Sequence, residues 1–401
     1  MPGRMTKDTS GPAFSLAAEG SIFRDPRMTI TRGILQLGGR SGGHLRRREA
    51  SYLPSGGDVQ VSDRLIRAHG LRTGDDLEGE TGQGRASNTL ERIATVNGRP
   101  AEGRPERPEF GRLPAVHPNE ILRLECGLVR QGQPDPTNRL IDLLSPLGKG
   151  QRALIVAPAK AGKTMILQSI AEGVKTNYPD AALMILLVDE RPEEVFEMEA
   201  AGFGEVVASS FDHPPAQHVA QAELLLERAR RGVEEGRDVV LVVDSITRLA
   251  RAYNAVEKGT GRTLSGGLDA QSLEKPKRFF GSARKVDPGQ GAGSLTIIAT
   301  ALVDTGSKMD QLIFEEFKGT GNSELVLSRD LAERRVFPAI DLLASGTRKE
   351  ELLLSPEGLA ASQVLRKRIA RRTPLEAMND LLADFRKYRT NAELVQALAK
   401  E

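Results

Sequence analysis

The chain has 401 residues, a formal net charge of +2, and 39% apolar and 27% charged residues. This length predicts two or three domains, and the balanced charge neither requires nor excludes a nucleic-acid partner. A single cysteine, Cys126, excludes an internal disulfide and a zinc site built from cysteines. Because the sequence has no apolar run of about 18 residues and no secretory signal, we expect a soluble, cytoplasmic protein without a membrane segment.

The first 28 residues mix Gly, Pro, Ser, Thr and charged residues without periodicity, which predicts a disordered leader. The sequence does not decide whether translation starts at Met1, Met5 or Met28.

Residues 29–97 consist of short segments separated by glycine-containing turns. Strands are expected at 30–37, 59–61 and 92–96, which indicates a small β-barrel. Arg46, Arg47 and Arg48 beside Tyr52 resemble part of a face for single-stranded nucleic acid, where cations meet phosphates and a ring stacks on bases. Tyr52 is the only Phe, Trp or Tyr between residues 28 and 109, and a solvated arginine run is an equally good interpretation.

Residues 98–112 are rich in Pro, Gly and charge, which predicts a stiff, extended linker, and a connector continues from there to residue 139. From residue 140 to the C-terminus strands and helices alternate. Strands are expected near 153–156, 183–188, 205–209, 238–243 and 294–301, and helices near 163–176, 192–200, 215–235, 246–256 and 270–284. This alternation predicts an α/β fold with a doubly wound parallel sheet, whose ligands bind at the carboxyl ends of the strands.

Residues 152–165 read as a strand, a loop of small residues and a helix that starts at Lys163 and Thr164. This order indicates a P-loop, in which the backbone of Lys160, Ala161 and Gly162 holds phosphates. Lys163 then reaches the β- and γ-phosphates of ATP, and the Thr164 hydroxyl is a ligand for Mg²⁺. Met165 follows in the same segment, and Ala157 stands where the general motif has its first glycine.

Two acidic residues follow neighbouring strands. Asp244 ends the apolar run 239–243, where a second contact to Mg²⁺ is needed. Glu190 follows the strand at 183–188 and is the candidate that orients or deprotonates the attacking water. A helix-capping or turn role is the alternative for such residues, and we assign it to Glu193 and Glu194.

Basic residues on loops are candidates for contacts with a substrate backbone. Arg262 and Gly266 lie in the glycine-rich stretch 257–269, and Lys308 lies in 303–310. Arg348 follows Gly346 and Thr347, where an arginine can neutralise charge on a γ-phosphate of a neighbouring subunit, although an ordinary surface arginine is equally compatible with the spacing.

Two other groups of residues are interpreted as structural. His213 and His218 lack the neighbours of a metal site, and we expect them at the surface. The basic run 366–372 has helical spacing typical of a solvated face.

Taken together, these segments resemble the family of bacterial transcription termination factors named Rho. The shared blocks lie in order between residues 140 and 354 and include Ala-Pro-Ala-Lys-Ala-Gly-Lys-Thr, Asp-Glu-Arg-Pro-Glu-Glu-Val, Asp-Ser-Ile-Thr-Arg-Leu-Ala-Arg, Ala-Leu-Val-Asp-Thr-Gly-Ser-Lys-Met-Asp and Ser-Gly-Thr-Arg-Lys-Glu-Glu. The alanine at 157 is the residue that this family has. The resemblance implies a RecA-like ATPase domain behind an OB/cold-shock-like barrel, a homohexamer with ATP between subunits, and translocation on RNA that dislodges RNA polymerase.

The resemblance also implies roles for single residues. Lys163 and Thr164 hold phosphate and Mg²⁺, Glu190 acts on water, and Asp244 serves the metal. Arg348 is the arginine finger in trans, Arg335 supports the phosphates, and Phe337 stacks near the adenine. The loops that carry Arg262, Gly266 and Lys308 line a central pore that grips RNA.

The barrel departs from the family pattern, because residues 41–46 read Ser-Gly-Gly-His-Leu-Arg where the family has a Gly-Phe-Gly-Phe-type stretch. We therefore expect weak, salt-dependent primary RNA binding through the arginines at 46–48. Two alternatives stay open: a paralogue of this ATPase with a different activator, and a nucleotide-binding ring that does not hydrolyse ATP.

Overall fold

The computed structural model describes residues 29–38, 42–82, 88–130, 132–257, 267–269 and 271–400. The leader at 1–28 and two predicted RNA contacts, Arg262 and Gly266, lie outside these ranges.

The N-terminal part is a small antiparallel β-structure. Its elements are β1 (Thr29–Leu37), β2 (Gly43–Arg46), β3 (Val59–Val61), α1 (Asp63–Ala68), β4 (Asp76–Thr81), β5 (Leu90–Val96) and β6 (Arg99–Pro100). The strands are ordered β3-β2-β1-β4-β5-β6, and a bridge between Gln60 and Thr89 brings the β3 edge towards β5. Leu35, Leu45 and Leu77 fill its core. The predicted barrel is confirmed, with β2, β4, β6 and α1 added to it.

The larger part is built around a second sheet. Its first elements are β7 (Ala115–Val116), β8 (Val129–Arg130), β9 (Gln133–Pro134), α2 (Thr137–Leu144), β10 (Arg152–Pro158), α3 (Lys163–Asn177), β11 (Ala182–Glu190), α4 (Pro192–Ala201), β12 (Glu205–Ser210), α5 (Pro215–Glu234) and β13 (Asp238–Asp244). The chain continues through α6 (Ile246–Val256), α7 (Glu274–Phe280), β14 (Arg284–Val286), β15 (Ser294–Val303), α8 (Lys308–Thr320), β16 (Ser323–Val326), α9 (Arg329–Glu333) and β17 (Gly346–Thr347), and ends with α10 (Pro356–Ile369), α11 (Pro374–Lys387) and α12 (Asn391–Leu398).

The main strands lie in the order β12-β11-β13-β15-β10-β16-β17, and all neighbours are parallel except β16 and β17. Each central strand is an apolar run, as in β13, because helices cover both faces of the sheet. The parallel arrangement brings the carboxyl ends of β10, β11 and β13 to one edge, so that Pro158, Glu190 and Asp244 end on the same side.

The predicted doubly wound sheet is confirmed, with one helix shorter than expected. The pattern at 270–284 predicts one long helix, but α7 covers only Glu274–Phe280. The reason is local, because the Ser272 hydroxyl donates to the Asp269 carbonyl and forms a turn in front of the helix. After the helix, the Ser282 hydroxyl donates to the Arg278 carbonyl.

The segment at 98–112 is bound tightly between the two parts. Arg107 Nη1 lies 2.5 Å from Asp75 Oδ1 of the barrel and 3.6 Å from Glu235 Oε1 at the end of α5. Arg104 also pairs with Glu235. Phe110 is buried in the core of the larger part, under the guanidinium of Arg284 at 4.6 Å. The sequence predicts a stiff linker, and the structure adds that ion pairs hold it on both domains.

Tyr52 forms a second connection between the parts. Its ring is 4% exposed and packs in the core that lies under α5, and its hydroxyl donates to the Glu205 carboxylate. Arg228 of α5 pairs with both Glu205 and Asp76, at 2.8 and 3.3 Å. Burial, which acts to raise the pKa of Asp76, is outweighed by Arg32 and Arg228, so that this pKa lies below its usual value. The prediction that Tyr52 presents its ring for stacking on bases is therefore wrong.

The helices after β17 extend the core on the side of α2. Arg366 donates to the carbonyls of Leu144 and Ser345 and pairs with Glu350, so that part of the basic run 366–372 is structural. Among the helices within the described ranges, none is both long and apolar enough to cross a bilayer.

Candidate active site

The predicted P-loop has the expected geometry. After β10 the chain turns at Lys160, which has φ = 64°, and Ala161 is buried. Gly162 has φ = 88° and precedes the first residue of α3, a conformation that favours glycine. Lys163 and Thr164 occupy the first positions of α3, where unpaired backbone N–H groups and the helix dipole favour an anion. Met165 is exposed beside them.

Lys163 joins the two predicted acidic residues. Its Nζ lies 2.9 Å from Glu190 Oε1 and 2.7 Å from Asp244 Oδ1. Both carboxylates are almost completely buried, and Thr300 Oγ1 donates to Asp244 Oδ1 at 2.6 Å. The site therefore holds two carboxylates and one ammonium group, and the sheet shields the two carboxylates from bulk water.

The electrostatics of the three groups are coupled. Burial and the Asp244 carboxylate raise the pKa of Glu190 to about 7, although Lys163 acts in the opposite direction. Burial acts to lower the pKa of Lys163, but Asp244 and Glu190 outweigh it and raise this pKa. A carboxylate with a pKa close to neutrality is suited to accept a proton from water.

A bulge in β11 directs Glu190 towards the site. The register of β11 against β12 shifts between Val188 and Glu190, and Asp189 has φ = 56°. Arg248 of α6 lies 3.4 Å from Asp189 Oδ2 and 3.7 Å from Glu190 Oε1. The sequence analysis did not select Arg248, although it follows Asp244 by four residues and lies in a helix that begins directly after it.

A cavity of about 190 Å³ adjoins the P-loop. Phe337 forms one wall, and a Cβ built on Gly162 would lie 3.6 Å from its ring. Arg130, Pro134, Asp135 and Ile166 also line the cavity, and sequence analysis missed them because they precede or follow the recognisable motif. Arg335 is exposed, has φ = 59° and lies at the turn between α9 and Phe337. The cavity can accept a flat ring of a nucleotide whose phosphates lie on α3.

Arg348 lies at the opposite end of the strands, near the amino ends of β10 and β16. Thr347 pairs with Ser323 of β16, and Ser323 pairs with Ala153 near the start of β10. The P-loop follows the other end of this seven-residue strand, roughly 20 Å away at about 3.3 Å per residue. Arg348 and the P-loop of the same chain therefore cannot meet on one nucleotide.

The predicted RNA contacts have different environments. Lys308 is exposed at the first position of α8, and this helix is fixed by a bidentate pair between Arg251 and Asp310 at 2.7 Å. Arg47 is exposed and donates to Ser55 Oγ at 3.3 Å. Arg46 pairs with Asp58 and donates to Gln36 Oε1 at 2.6 Å, which leaves its charge compensated within the barrel.

His218 corrects another expectation. It is 5% exposed and shares a hydrogen bond with the buried Ser209 hydroxyl, so that the predicted surface position is wrong. Burial lowers its pKa. Within the described ranges, no group of three His, Cys, Asp or Glu residues has the arrangement of a metal site.

Comparisons with known proteins agree with this architecture. The family model of the ATP synthase alpha/beta nucleotide-binding domain matches residues 137–347, and that of the Rho termination factor RNA-binding domain matches residues 31–102. A transcription termination factor Rho from Gemmatimonas aurantiaca is 54% identical over 364 residues, which cover 90% of this chain. The chain belongs to the transcription termination factor Rho family.

Other Rho proteins are similarly close. The Haemophilus influenzae protein is 50% identical over 92% of this chain and 87% of its own length. The Mycobacterium bovis protein is 50% identical over 96% of this chain. The chain spans 49% of the Gemmatimonas protein and 63% of the Mycobacterium protein. A solved ATPase of a bacterial type III secretion system superposes on 72% of this chain with a TM-score of 0.58 at 22% identity, which supports the fold alone.

Proposed function

We propose that this Rho-family protein is an ATP-dependent RNA translocase and helicase that acts in transcription termination. The observation that carries the proposal is the placement of Lys163 between Glu190 and Asp244 at one edge of the sheet, with Arg348 at the other. The first group is suited to bind and hydrolyse a nucleoside triphosphate, and the second is suited to reach the nucleotide of a neighbouring copy.

Each residue then has a defined role in hydrolysis. The α3 N-terminus and Lys163 bind the phosphates of ATP, which takes the lysine away from its two carboxylates. Glu190 accepts a hydrogen bond from the attacking water and holds its proton, while Phe337 packs on the adenine. Positive charge at the γ-phosphate, from Lys163 in cis and Arg348 in trans, is worth most in such a closed site.

The residues at the site also fit Mg²⁺, which prefers oxygen ligands and retains several waters. The Thr164 hydroxyl and the Asp244 carboxylate are the oxygens that would hold it, and Thr300 fixes Asp244 in place. When bound, Mg²⁺ neutralises negative charge on the phosphates.

The distance between the two halves of the site favours an assembly of several copies. A copy that offers its P-loop end to one neighbour and its Arg348 end to the other forms a heterologous interface, which generates a ring when the rotation between copies closes. We propose a homohexamer, as the family resemblance implies.

RNA is the proposed substrate of the motor. Lys308, together with Arg262 and Gly266, would contact RNA in the central pore, and Arg47 and Arg48 would hold phosphates on the barrel. Because Arg46 and Tyr52 are engaged within the protein, the barrel would contribute less than its arginine count indicates. RNA polymerase in a transcription complex is the proposed target of translocation.

ATP hydrolysis by the full chain, with and without poly(C), tests this function. We expect RNA to stimulate hydrolysis and Glu190→Gln to abolish the stimulated rate. Hydrolysis by the wild type as slow as by Glu190→Gln would favour a ring that binds nucleotide without turnover. Stimulation by another nucleic acid or by a protein, but not by RNA, would favour the specialised paralogue.

A further inference from the structure

Three arginines lie together at the edge of the sheet that carries Arg348. Arg152 begins β10 and is half-buried, and Arg284 begins β14 beside it. Arg152 Nε donates to the Thr320 carbonyl at 2.9 Å and Nη1 to the Ala283 carbonyl at 3.2 Å. In the described part of the chain, no carboxylate forms an ion pair with any of the three.

Arg152 and Arg348 are held to each other through one residue. The Asn322 side-chain oxygen accepts the Arg152 backbone N–H at 2.8 Å, and the Asn322 carbonyl accepts the Arg348 backbone N–H at 2.9 Å. Burial, together with the repulsion from Arg348, lowers the pKa of Arg152. Two like charges fixed side by side without a carboxylate form an arrangement that an anion stabilises.

The two side chains differ in their contacts. Arg152 is anchored on carbonyls at the C-terminal end of α8 and before β14, whereas Arg348 is exposed and uses only its backbone in these contacts. An anchored charge beside an exposed one favours side-chain conformations in which the exposed guanidinium points away from it, into solvent. It also adds to the positive potential that a polyphosphate meets there.

We propose that Arg152 is a positioning residue of the trans half of the nucleotide site, where it acts with Arg348 on the polyphosphate bound by a second copy. The inference rests on the proposed function, because it requires ATP to lie between subunits. It assigns a role in the reaction to the first residue of the P-loop strand β10, which would otherwise be regarded only as part of the sheet.

A purely structural role for Arg152 is the competing explanation. A cation at the end of α8 interacts favourably with the last carbonyls of the helix, and its loss could disturb β10 and the P-loop of the same chain. The two explanations differ in the nucleotide site that a substitution impairs. The structural role affects the P-loop of the same chain, in cis, and the proposed role affects the nucleotide bound by the neighbouring copy, in trans.

Single-turnover ATP hydrolysis by mixed rings separates them. Rings are assembled from full-length chains that carry one of three substitutions, Lys163→Ala, Arg348→Ala or Arg152→Gln. Each variant is assembled alone and in a mixture with each of the other two. We expect Arg152→Gln alone to slow the single turnover by about 100-fold, at the low end of the range for a lost electrostatic donor. Arg152→Lys, which keeps the charge, should recover part of the rate, and Arg284→Gln is the matched control that should leave it unchanged.

The mixtures give opposite patterns for the two roles. In an equal mixture of Lys163→Ala and Arg348→Ala, about one quarter of interfaces combine an intact P-loop with an intact finger, which should restore hydrolysis. Lys163→Ala mixed with Arg152→Gln should also restore it, and Arg348→Ala mixed with Arg152→Gln should not. The reverse pattern, or an unchanged rate for Arg152→Gln alone, would overturn the role of Arg152. Failure of the Lys163→Ala and Arg348→Ala mixture would instead overturn the trans site, and with it this inference.

Discussion

The sheet domain and the barrel of this protein use charged residues in opposite ways. Around the P-loop, the buried carboxylates of Glu190 and Asp244 and the partly buried ammonium group of Lys163 meet at one point that a substrate can reach. In the barrel, Arg46 is neutralised by Asp58, and Tyr52 is inserted into the neighbouring domain. Charged residues therefore form a candidate reaction site in one region and hold the fold and the two domains together in the other. The tertiary contacts of each residue, rather than its type, distinguish these two roles.

The largest expected effect is the loss of ATP hydrolysis when Lys163 is removed from its position between Glu190 and Asp244. Lys163→Ala removes the phosphate contact and leaves two buried carboxylates without their cation, so that kcat should fall by about 10³-fold or more. Steady-state ATP hydrolysis measures this. Lys175→Ala is the control, because Lys175 is exposed in the last turn of α3, at the end of the helix away from the P-loop. An equal loss of kcat in that variant would contradict the role given to Lys163.

The contact between the two regions should control stability. Arg107→Ala leaves Asp75 buried without its ion-pair partner and removes one of the arginines around Glu235, which should lower the free energy of unfolding by about 3–5 kcal/mol. Arg112→Ala removes only an exposed pair with Glu109 and should change it by about 0–1 kcal/mol. Urea denaturation of both variants provides the measurement, and equal midpoints would contradict the role given to Arg107.

The cavity beside the P-loop should contribute to nucleotide affinity rather than to chemistry. Phe337→Ala removes the ring that faces Gly162, and we expect the KM for ATP to rise by about 10-fold, because stacking on a base is worth about 1–3 kcal/mol. The kcat should stay close to that of the wild type, and Phe337→Tyr should retain the wild-type KM. A fall in kcat without a change in KM would contradict this role.

The pH dependence of hydrolysis should report the protonation of Glu190. The base acts in its deprotonated form, and its pKa is raised to about 7, so that kcat/KM should fall as the pH decreases through 7. Below that pH the fall should approach about tenfold per pH unit. A profile that stays flat down to the usual range of a glutamate would show that the free enzyme does not depend on this carboxylate in the expected way.

The smallest expected effect concerns the barrel. Arg47→Ala should weaken RNA binding modestly and reduce the salt slope by about 0.7, as for one lost phosphate contact on a single strand. Arg46→Ala should instead destabilise the barrel, because Arg46 holds Asp58 and Gln36. RNA binding at several salt concentrations, combined with thermal unfolding, separates the two arginines, and identical behaviour of both would remove the distinction.

Much of the sheet domain is predictable from sequence because its chemistry depends on local order. Gly162, Lys163 and Thr164 follow a buried strand, and a parallel sheet necessarily brings Glu190 and Asp244 to the same edge. Arg248 and the cavity around Arg130 were missed, since they approach the site from segments without a motif of their own.

The barrel shows where such reasoning ends. Tyr52 beside three arginines has the composition of a nucleic-acid face, and only the docking of two domains reveals that its hydroxyl meets Glu205, 153 residues away. The ion pairs of Arg104 and Arg107 are equally invisible in a stretch whose composition is that of a linker. Interactions between distant segments, rather than local propensity, decide these cases.

The central claim is that RNA stimulates ATP hydrolysis at the P-loop site. The barrel is proposed to bind this RNA mainly through charge. ATP hydrolysis by the full-length wild type, titrated with poly(C) at low and at physiological salt, tests it most directly. The account predicts a clear stimulation by RNA and a half-saturating RNA concentration that rises steeply with salt. No stimulation at any RNA concentration, or tight binding that salt does not weaken, would contradict it.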